Sequence, residues 1–388
     1  MIAAGRVVDL TLPDHAVRPL HPGSPAAAAP AELLDLPVPG VDGLSRPLRD
    51  RLVETDTDAF VVVHAGRVAL EWYRDEVVRD TPQALMSITK SVVGVVAGRL
   101  IGQGLLDPER AAADYVPELL GGGYAGVTVR DLLDMRTGGL DYDEDDADPA
   151  GELAQLAAAV APALPQVAPP TLRTLVASSP RAARHAGPFA YRSLDTDALG
   201  WVLERASGRA VGDLVAQLLA DVGVAGPVTM AVDSTGTPQC SGGLAATALD
   251  VARFALLLLH GGSVGDTQVV PVTFVKDTRK GAPDSADAFR RRVEQRLAQH
   301  DELAVEGLRT GHYRNQIWVP HPTGRALMCL GIHGQCVLID PDSDAVVVKL
   351  SSWLNPQDPS RFTDATECAR IVAATVADLD PKAGPWVS

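Results

Sequence analysis

Apolar residues recur at helical spacing in the segment that follows Ser87. Positions 88, 92, 95, 96 and 100 are all isoleucine, valine or leucine, and Gly104 stands where a C-terminal glycine would end a helix. Ser87 and Lys90 are three residues apart, close to one helical turn, so their side chains project from the same face. The pattern predicts a helix running to Ile101, with a hydroxyl and an amine together at its start.

Other patterns predict β-structure near both ends of the chain and helices between them. Runs 59–63 and 68–73, separated by His64-Ala65-Gly66-Arg67, predict a hairpin just before the Ser87 helix. Three late runs are also β-rich: 326–332, 336–339 and 345–350, with a turn at 340–344. Helical patterns occupy 107–120, 127–133, parts of 153–185, a segment ending at Gly208, 248–259 and 362–379.

A helical middle between two β-bearing ends predicts a discontinuous sheet domain with a helical domain inserted. We assign residues 51–90 and 245–388 to an α/β domain and residues 91–244 to the inserted domain. Residues 1–50 are rich in proline and alanine, which predicts an irregular arm over the surface. This topology would bring Ser87, the middle loops and the late strands to one cleft between the domains.

Composition and charge narrow the class of protein. Of 388 residues, 46% are hydrophobic and 21% charged, which is ordinary for a globular protein. The net charge of −15 disfavours nucleic acid and anionic membranes as partners. The first residues show no basic region followed by an apolar run, and no stretch is long enough to span a membrane, so we expect a cytoplasmic protein.

Cysteines and two short motifs give no evidence of a cofactor or metal. Cys240, Cys329, Cys336 and Cys368 lack metal-like spacing and are expected to be reduced and structural. The run 121–126 has the glycine spacing of a dinucleotide-binding motif, but it follows a helical segment, whereas that motif follows a strand. The acidic run 141–152 resembles a calcium loop, but Asp146 stands where the sharp turn needs glycine. A solvated loop near the active site is the better interpretation.

The Ser87–Lys90 pair is the strongest candidate for chemistry. An amine within reach of a serine hydroxyl can take its proton, which the hydroxyl must lose to act as a nucleophile. Unpartnered N–H groups at the start of a helix favour the negative charge that develops during such an attack. A serine and a lysine at this spacing are common, however, and an ordinary exposed helix start remains an alternative for this pair alone.

Two later motifs, in order, extend that pair. Tyr191-Arg192-Ser193 follows Lys90 by about a hundred residues, and Gly331-Ile332-His333-Gly334-Gln335 lies on a late strand. With these motifs the chain resembles the serine β-lactamase and penicillin-binding-protein superfamily, in which Ser-x-x-Lys is the first motif. Within it, the chain is most similar to the 6-aminohexanoate-dimer hydrolases (nylon-oligomer hydrolases) and the class C-like carboxylesterases. Segments 141–152, 191–208 and 346–353 also match.

The resemblance implies a fold and a mechanism. The fold class would be α/β (α+β) and β-lactamase-like, with an antiparallel sheet flanked by helices and an inserted all-α domain. Ser87 would be the nucleophile, Lys90 would accept its proton, and Tyr191 would relay that proton to the leaving group. The backbone N–H groups of Ser87 and Ile332 would form the oxyanion hole. For Tyr191, a buried aromatic with only a structural role is the alternative.

The resemblance also indicates residues that would contact the substrate: Tyr142, Asp146, Ser193, Ser241 and His333. Structural support of its strand is an equal alternative for His333. Asp146, Ala157 and Ser241 stand where the nylon-oligomer hydrolases have tyrosine, aspartate and asparagine, and the third motif lacks its usual lysine. These differences favour simple ester cleavage over cleavage of a nylon dimer or a β-lactam.

We therefore expect a cytoplasmic serine hydrolase that cleaves a small-molecule ester or small amide without a cofactor or metal. The resemblance makes a homodimer plausible, and neither nucleic acid nor a membrane is expected as a partner. The alternatives are β-lactamase activity, 6-aminohexanoate-oligomer hydrolase activity and a catalytically idle binding protein on the same fold. Retention of Ser87, Lys90 and Tyr191 argues against the idle protein, because binding alone would not require all three.

Overall fold

The computed structural model describes residues 6–13, 20–22, 30–138, 152–160, 170–180, 189–298, 310–321 and 323–379. The strands are β1 (Val7–Asp9), β2 (His21–Pro22), β3 (Pro37–Pro39), β4 (Ser45–Pro47), β5 (Thr57–His64), β6 (Arg67–Tyr73), β7 (Gln83–Ala84), β8 (Thr229–Ala231), β9 (Leu244–Ala246), β10 (Ser263–Val264), β11 (Thr267–Gln268), β12 (His312–Arg314), β13 (Ile317–Val319), β14 (Leu327–Gly331), β15 (Gln335–Asp340) and β16 (Ala345–Ser351). The helices are α1 (Pro30–Leu34), α2 (Leu48–Glu54), α3 (Ile88–Gly102), α4 (Ala112–Tyr115), α5 (Val129–Asp134), α6 (Glu152–Val160), α7 (Leu172–Ser178), α8 (Ser193–Ser207), α9 (Val211–Asp221), α10 (Ala248–Leu259), α11 (Val272–Lys280), α12 (Ser285–Ala298) and α13 (Pro359–Leu379).

The main sheet is mixed but almost wholly antiparallel. Its strand order within the described residues is β12-β13-β14-β15-β16-β5-β6-β2, and only the short pair β2–β6 is parallel. The continuous valine runs of β5 and β16 pair with each other, with Val61 opposite Val348. Side chains alternate between the two faces of a strand, so a continuous apolar run indicates that both faces are covered. Helices cover both faces of this sheet, in agreement with the apolar runs.

The two faces of the sheet carry two separate cores. Val61 and Val63 pack in one apolar cluster with residues of α3, α8 and α10. Phe60 and Val62 point the other way and pack in a second cluster with residues of α2 and α13. The first cluster extends without a break into the helical middle of the chain, where α8 packs against α3, α4, α5, α7 and α9. This continuous core fixes α3 and α8, the two helices that begin at the candidate site.

A smaller sheet of order β1-β8-β9-β7 holds the segment that leads to Ser87, again counting only the described residues. Gln83 and Ala84 pair with Ala246 and Ala245, and the N–H of Leu85 donates to the carbonyl of Leu244. Pairing with β9 therefore fixes the segment before Ser87, and the core around α3 fixes the segment after it.

Several predicted elements are confirmed, and some differ. The hairpin β5–β6, the Ser87 helix, the helix ending at Gly208, the helix 248–259 and the late strands lie where the patterns predicted them. The predicted helix 107–120 is broken into α4 and a 3-10 turn at Pro117–Gly121, because proline has no N–H to continue a helix. The described parts of the arm form strands and short helices, and β1 and β2 join the two sheets. The division into two domains stays a prediction.

Candidate active site

Ser87 lies on a tight turn at the start of α3. Met86, just before it, has a φ of +49°, a left-handed conformation that is uncommon for a residue other than glycine. The N–H groups of Thr89 and Lys90 donate to the carbonyls of Met86 and Ser87, which closes the first turn of the helix. Ser87 is half-buried. A strained turn thus presents a partly accessible hydroxyl at a helix N-terminus, as a nucleophile requires.

Lys90 lies directly beneath Ser87 and is almost fully buried, with 1% of its surface exposed. Its Nζ donates to Oγ of Ser87 at 2.8 Å and to the carbonyl oxygen of Ser241 at 2.8 Å. The nitrogen also lies 4.9 Å from the centre of the Tyr191 ring. An amine held at this distance from a serine hydroxyl is placed to accept its proton.

Tyr191 lies just before α8, and neighbouring aromatic rings hold its ring in place. It stacks on Trp318 with ring centres 5.2 Å apart and meets the ring of Tyr313 edge-on at 5.9 Å. Tyr191 and Trp318 are both half-buried. The structure therefore brings Ser87, Lys90 and Tyr191 together, although 104 and 101 residues separate Tyr191 from the other two in the sequence. The proton-relay role of Tyr191 stays a prediction.

Ser241 contacts the site through its backbone. Its carbonyl accepts the bond from Lys90, and its N–H donates to Oδ1 of Asp197 at 3.2 Å. Its side chain is buried, so the predicted contact with a substrate stays a prediction. Ser193, the first residue of α8, is likewise buried, at 7% exposure.

The end of β14 approaches the Ser87 turn. A Cβ added at Gly331 would lie only 2.8 Å from the carbonyl oxygen of Leu85 and 3.0 Å from Cβ of Met86, so a side chain there would clash. The next residue, Ile332, is 41% exposed and begins a short 3-10 turn. The close approach therefore involves the residue before Ile332 and the two residues before Ser87. The oxyanion hole of Ser87 and Ile332 stays a prediction.

His333 is bound to the neighbouring strand end. Its Nδ1 lies 2.7 Å from the carbonyl oxygen of Trp353, so Nδ1 carries the proton and donates. Its backbone N–H donates to the carbonyl of Pro356, and its own carbonyl accepts the N–H of Trp353. These bonds support the structural alternative for His333, while its contact with a substrate remains a prediction. Tyr142 and Asp146 lie outside the described residues.

Sequence reasoning missed the hairpin β12–β13 and the glutamine at its tip. Asn315 and Gln316 have φ values of +55° and +66°, the backbone of a two-residue type I′ turn. Gln316 is 1% exposed: its Nε2 donates to the carbonyl of Leu132, and its Oε1 accepts from the hydroxyl of Thr196 on α8. Its carbonyl accepts from Ser91 on α3. The β-favouring residues on either side of the turn, Tyr313 before it and 317–319 after it, are a signal that could have revealed this hairpin.

Asp197 is a second residue that the sequence did not single out. It lies on α8 one turn beyond Ser193, with 7% of its surface exposed. Burial raises the pKa of Asp197 to about 6, and the nearby Ser241 groups and the charge of Lys90 oppose that rise.

Among the described residues, no group of three histidine, cysteine or acidic side chains is arranged to hold a metal ion. The described helices include none that could cross a bilayer.

Comparisons with known proteins agree with this geometry. Residues 49–367 match the family model described as Beta-lactamase. The chain is 35% identical over 333 residues to the 6-aminohexanoate-dimer hydrolase of Paenarthrobacter ureafaciens, which covers 85% of this chain and 81% of that protein. A candidate 6-aminohexanoate-dimer hydrolase from Bacillus anthracis superposes with a TM-score of 0.79 at 25% identity, over 96% of this chain and 91% of that one. A family VIII carboxylesterase superposes with a TM-score of 0.61 at 14% identity, over 92% and 99% of the two chains, and shares the fold.

Proposed function

The chain belongs to the beta-lactamase family, and we propose that it cleaves a carboxylic ester or small amide through an acyl-enzyme on Ser87. One observation carries the proposal: the buried Nζ of Lys90 lies 2.8 Å from Oγ of Ser87, at the start of a helix. A nucleophile paired with a base at this distance, on a strained turn, is the arrangement that acyl transfer requires.

Acylation would begin with Lys90 as the neutral amine. As Oγ of Ser87 attacks the substrate carbonyl, the serine proton passes to Nζ, and the carbonyl oxygen takes up negative charge. The backbone N–H groups of Ser87 and Ile332 would stabilise that charge, a contribution of roughly 3 kcal/mol per donor. When the tetrahedral intermediate collapses, the bond to the leaving alcohol or amine breaks, and the proton reaches the leaving group through Tyr191.

Deacylation would reverse these steps with water in place of the leaving group. Water attacks the ester on Ser87 while Tyr191 relays the released proton to Lys90, which then holds it. The carboxylic acid leaves as the serine oxygen is protonated again. Proton balance needs nothing beyond water and these side chains. The centre of the Tyr191 ring lies 4.9 Å from Nζ of Lys90, and the ring stacks on Trp318; this proximity to the base supports a part for Tyr191 in the relay.

A second candidate is hydrolysis of 6-aminohexanoate oligomers, favoured by the 35% identity to a 6-aminohexanoate-dimer hydrolase. Esters remain our first expectation for two reasons. An ester has a better leaving group than an amide, and Asp146, Ala157 and Ser241 differ from the residues that the nylon-oligomer hydrolases carry there. Hydrolysis of β-lactams is less favoured, because the third motif has no lysine.

A fluorophosphonate probe tests the nucleophile, and a substrate panel tests the class. After labelling and digestion, mass spectrometry should find the adduct on Ser87. Turnover of short-chain p-nitrophenyl esters should be lost in Ser87→Ala. Ser207→Ala is the matched control, because Ser207 lies at the far end of α8, where its hydroxyl donates to the carbonyl of Leu203 and accepts the N–H of Arg209. An unlabelled Ser87 together with ester turnover that survives Ser87→Ala would contradict the proposal.

The panel then compares p-nitrophenyl esters, the 6-aminohexanoate dimer and nitrocefin. We expect the highest kcat/KM for an ester. A higher value for the dimer would favour the second candidate, and a higher value for nitrocefin would favour a β-lactamase. No turnover of any of the three by a folded protein would favour the idle binding protein.

A further inference from the structure

Two hydrogen bonds through the backbone of Ser241 connect Asp197 to the proposed base, Lys90. Its Oδ1 accepts the N–H of Ser241, and the carbonyl of the same Ser241 accepts the bond from Nζ of Lys90. Lys90 comes from α3 and Asp197 from α8, so the Ser241 segment joins the two helices. A shift in that segment would move the acceptor that orients Lys90.

The second carboxylate oxygen of Asp197 is buried and makes no hydrogen bond within the described residues. A buried carboxylate with one unsatisfied oxygen is costly to keep charged, and nearby positive charge is what offsets that cost. The Lys90 ammonium supplies such a charge. The two groups are therefore coupled: a negative Asp197 favours a protonated Lys90, and a neutral Asp197 favours the free amine.

Other titratable groups face Asp197 from the elements packed around α8. They are the hydroxyl of Tyr124, the thiol of Cys240 and, along a shared cavity, Arg173 of α7 and Glu204 of α8. Burial holds the pKa values of Tyr124 and Cys240 well above their usual ranges, so both stay neutral near pH 7. Arg173 and Glu204 pair with each other. Lys90 differs from these groups because it bonds to the backbone of the same residue, Ser241, as Asp197 does.

Asp197 also lines a small cavity. It has a volume of about 10 Å³, close to the space one water molecule needs, and Trp201 and Cys240 form part of its wall.

We propose that Asp197 is a positioning residue for the reaction: it anchors the Ser241 segment that orients Lys90, and its negative charge acts on the amine of Lys90 through that segment. This inference rests on the proposed roles of Ser87 and Lys90. Asp197 does not touch the substrate in this account and acts only through Lys90.

The test is the pH dependence of phosphonylation, using the second-order rate at which a fluorophosphonate labels Ser87 between about pH 5 and pH 10. Asp197→Asn keeps an oxygen that can accept the N–H of Ser241 and removes the charge. Removing a nearby negative charge favours the neutral form of an amine, so the rising limb of the profile should move to lower pH. A role limited to holding the fold would lower the rate or the Tm but would not move this limb.

Asp195→Asn is the matched control. Asp195 is also a buried carboxylate on α8, two residues away, and it accepts bonds from Tyr124 and Thr137. Two residues along a helix lie on nearly opposite sides, so this change should leave the limb where it is in the wild type. Asp197→Ser removes the same charge with a smaller side chain and is read in the same way if the asparagine variant does not fold.

If the rising limb of the pH profile stays in place in a folded Asp197 variant and Ser87 is still labelled, the role of Asp197 is overturned while the proposed function stands. Absence of labelling in the wild type, together with ester turnover that survives Ser87→Ala, would instead overturn the proposed function. An equal shift in Asp195→Asn would show that any loss of negative charge on α8 has this effect, which would also contradict a specific role for Asp197.

Discussion

At the scale of single residues, the site depends on how Lys90 is held. Its two hydrogen bonds run to a hydroxyl and a backbone carbonyl, and a tyrosine ring covers the nitrogen. The sequence predicted that Ser87 and Lys90 share a helix face, and the structure confirms it. It could not predict the bond to Ser241, because a backbone carbonyl has no signature in the sequence. Asp197 was missed for the same reason: its partner is the N–H of Ser241.

Replacing Lys90 with methionine should abolish most activity without unfolding the protein. Methionine fills a similar volume and needs no hydrogen-bond partner, so the core around α3 can keep its packing. Loss of a general base typically costs about 10²–10⁴-fold, and we expect kcat/KM for a p-nitrophenyl ester to fall by that factor. Steady-state kinetics and circular dichroism measure the two effects.

The chain offers a matched control in Lys349. This lysine is equally buried, at 1% exposure, and its Nζ also donates to a serine hydroxyl, that of Ser351. It belongs to β16, and Cys368 of α13 lies near its ammonium group. Lys349→Met should change kcat/KM by less than about threefold. An equal loss in the two variants would show that removal of a buried lysine, and not of the base, lowers the activity.

At the scale of elements, hydrophobic periodicity predicted those that are long or bounded by glycine. The Ser87 helix and the paired strands β5 and β16 are examples, because burial there fixes the spacing of apolar residues. The hairpin β12–β13 was missed because its turn is Asn315-Gln316. A type I′ turn needs a positive φ at both central residues and usually carries glycine at the second, so a glutamine conceals the pattern.

Gln316→Gly tests why glutamine is there. Glycine suits the positive φ better, but it would lose the bonds that the Gln316 side chain makes with Leu132, Thr196 and Tyr313. Losing hydrogen bonds to buried groups costs more free energy than removing the backbone strain gains. We therefore expect a net loss of about 1–3 kcal/mol in the free energy of unfolding in urea.

Ala65→Gly is the control for this effect. Ala65 and Gly66 form the equivalent turn between β5 and β6, with φ values of +48° and +71°, and a methyl side chain makes no hydrogen bonds. Glycine there should be neutral or stabilising by up to about 1 kcal/mol. A Gln316→Gly protein as stable as the wild type would contradict a role for the side chain in joining β13 to α8.

At the scale of the whole molecule, the site is assembled from segments far apart in the chain: the start of α3, the residues before α8, the Ser241 segment and the end of β14. Local patterns predict each segment but not that they meet. Their meeting was inferred from topology and from the resemblance, which supplied the order of the motifs. Tyr142 and Asp146, two of the residues predicted to contact the substrate, lie outside the described residues.

A buried ion cluster joins distant segments beside the hairpin. Arg314 of β12 pairs with Asp134 at the end of α5 and, at 2.8 Å, with Asp277 of α11. Asp134 is 3% exposed, and Arg314→Leu would leave it without its nearest cation. Breaking one partner of a buried pair is strongly destabilising, so we expect a loss of about 3 kcal/mol in urea unfolding.

The exposed pair of Arg290 and Asp287 on α12 is the comparison for this change. Both side chains are more than half exposed, and solvent screens their attraction, so Arg290→Leu should cost less than about 1 kcal/mol. Similar losses in the two variants would contradict a specific role for the buried cluster.

The measurement that tests the central claim most directly is detection of the acyl-enzyme itself. The protein is mixed with p-nitrophenyl acetate, quenched in acid within the first turnovers, digested and analysed by mass spectrometry. The account predicts one acetyl group per chain on the peptide that carries Ser87, and none in Ser87→Ala. An acetyl group on another residue of an active enzyme, or turnover with no acetylated intermediate when deacylation is rate-limiting, would contradict it.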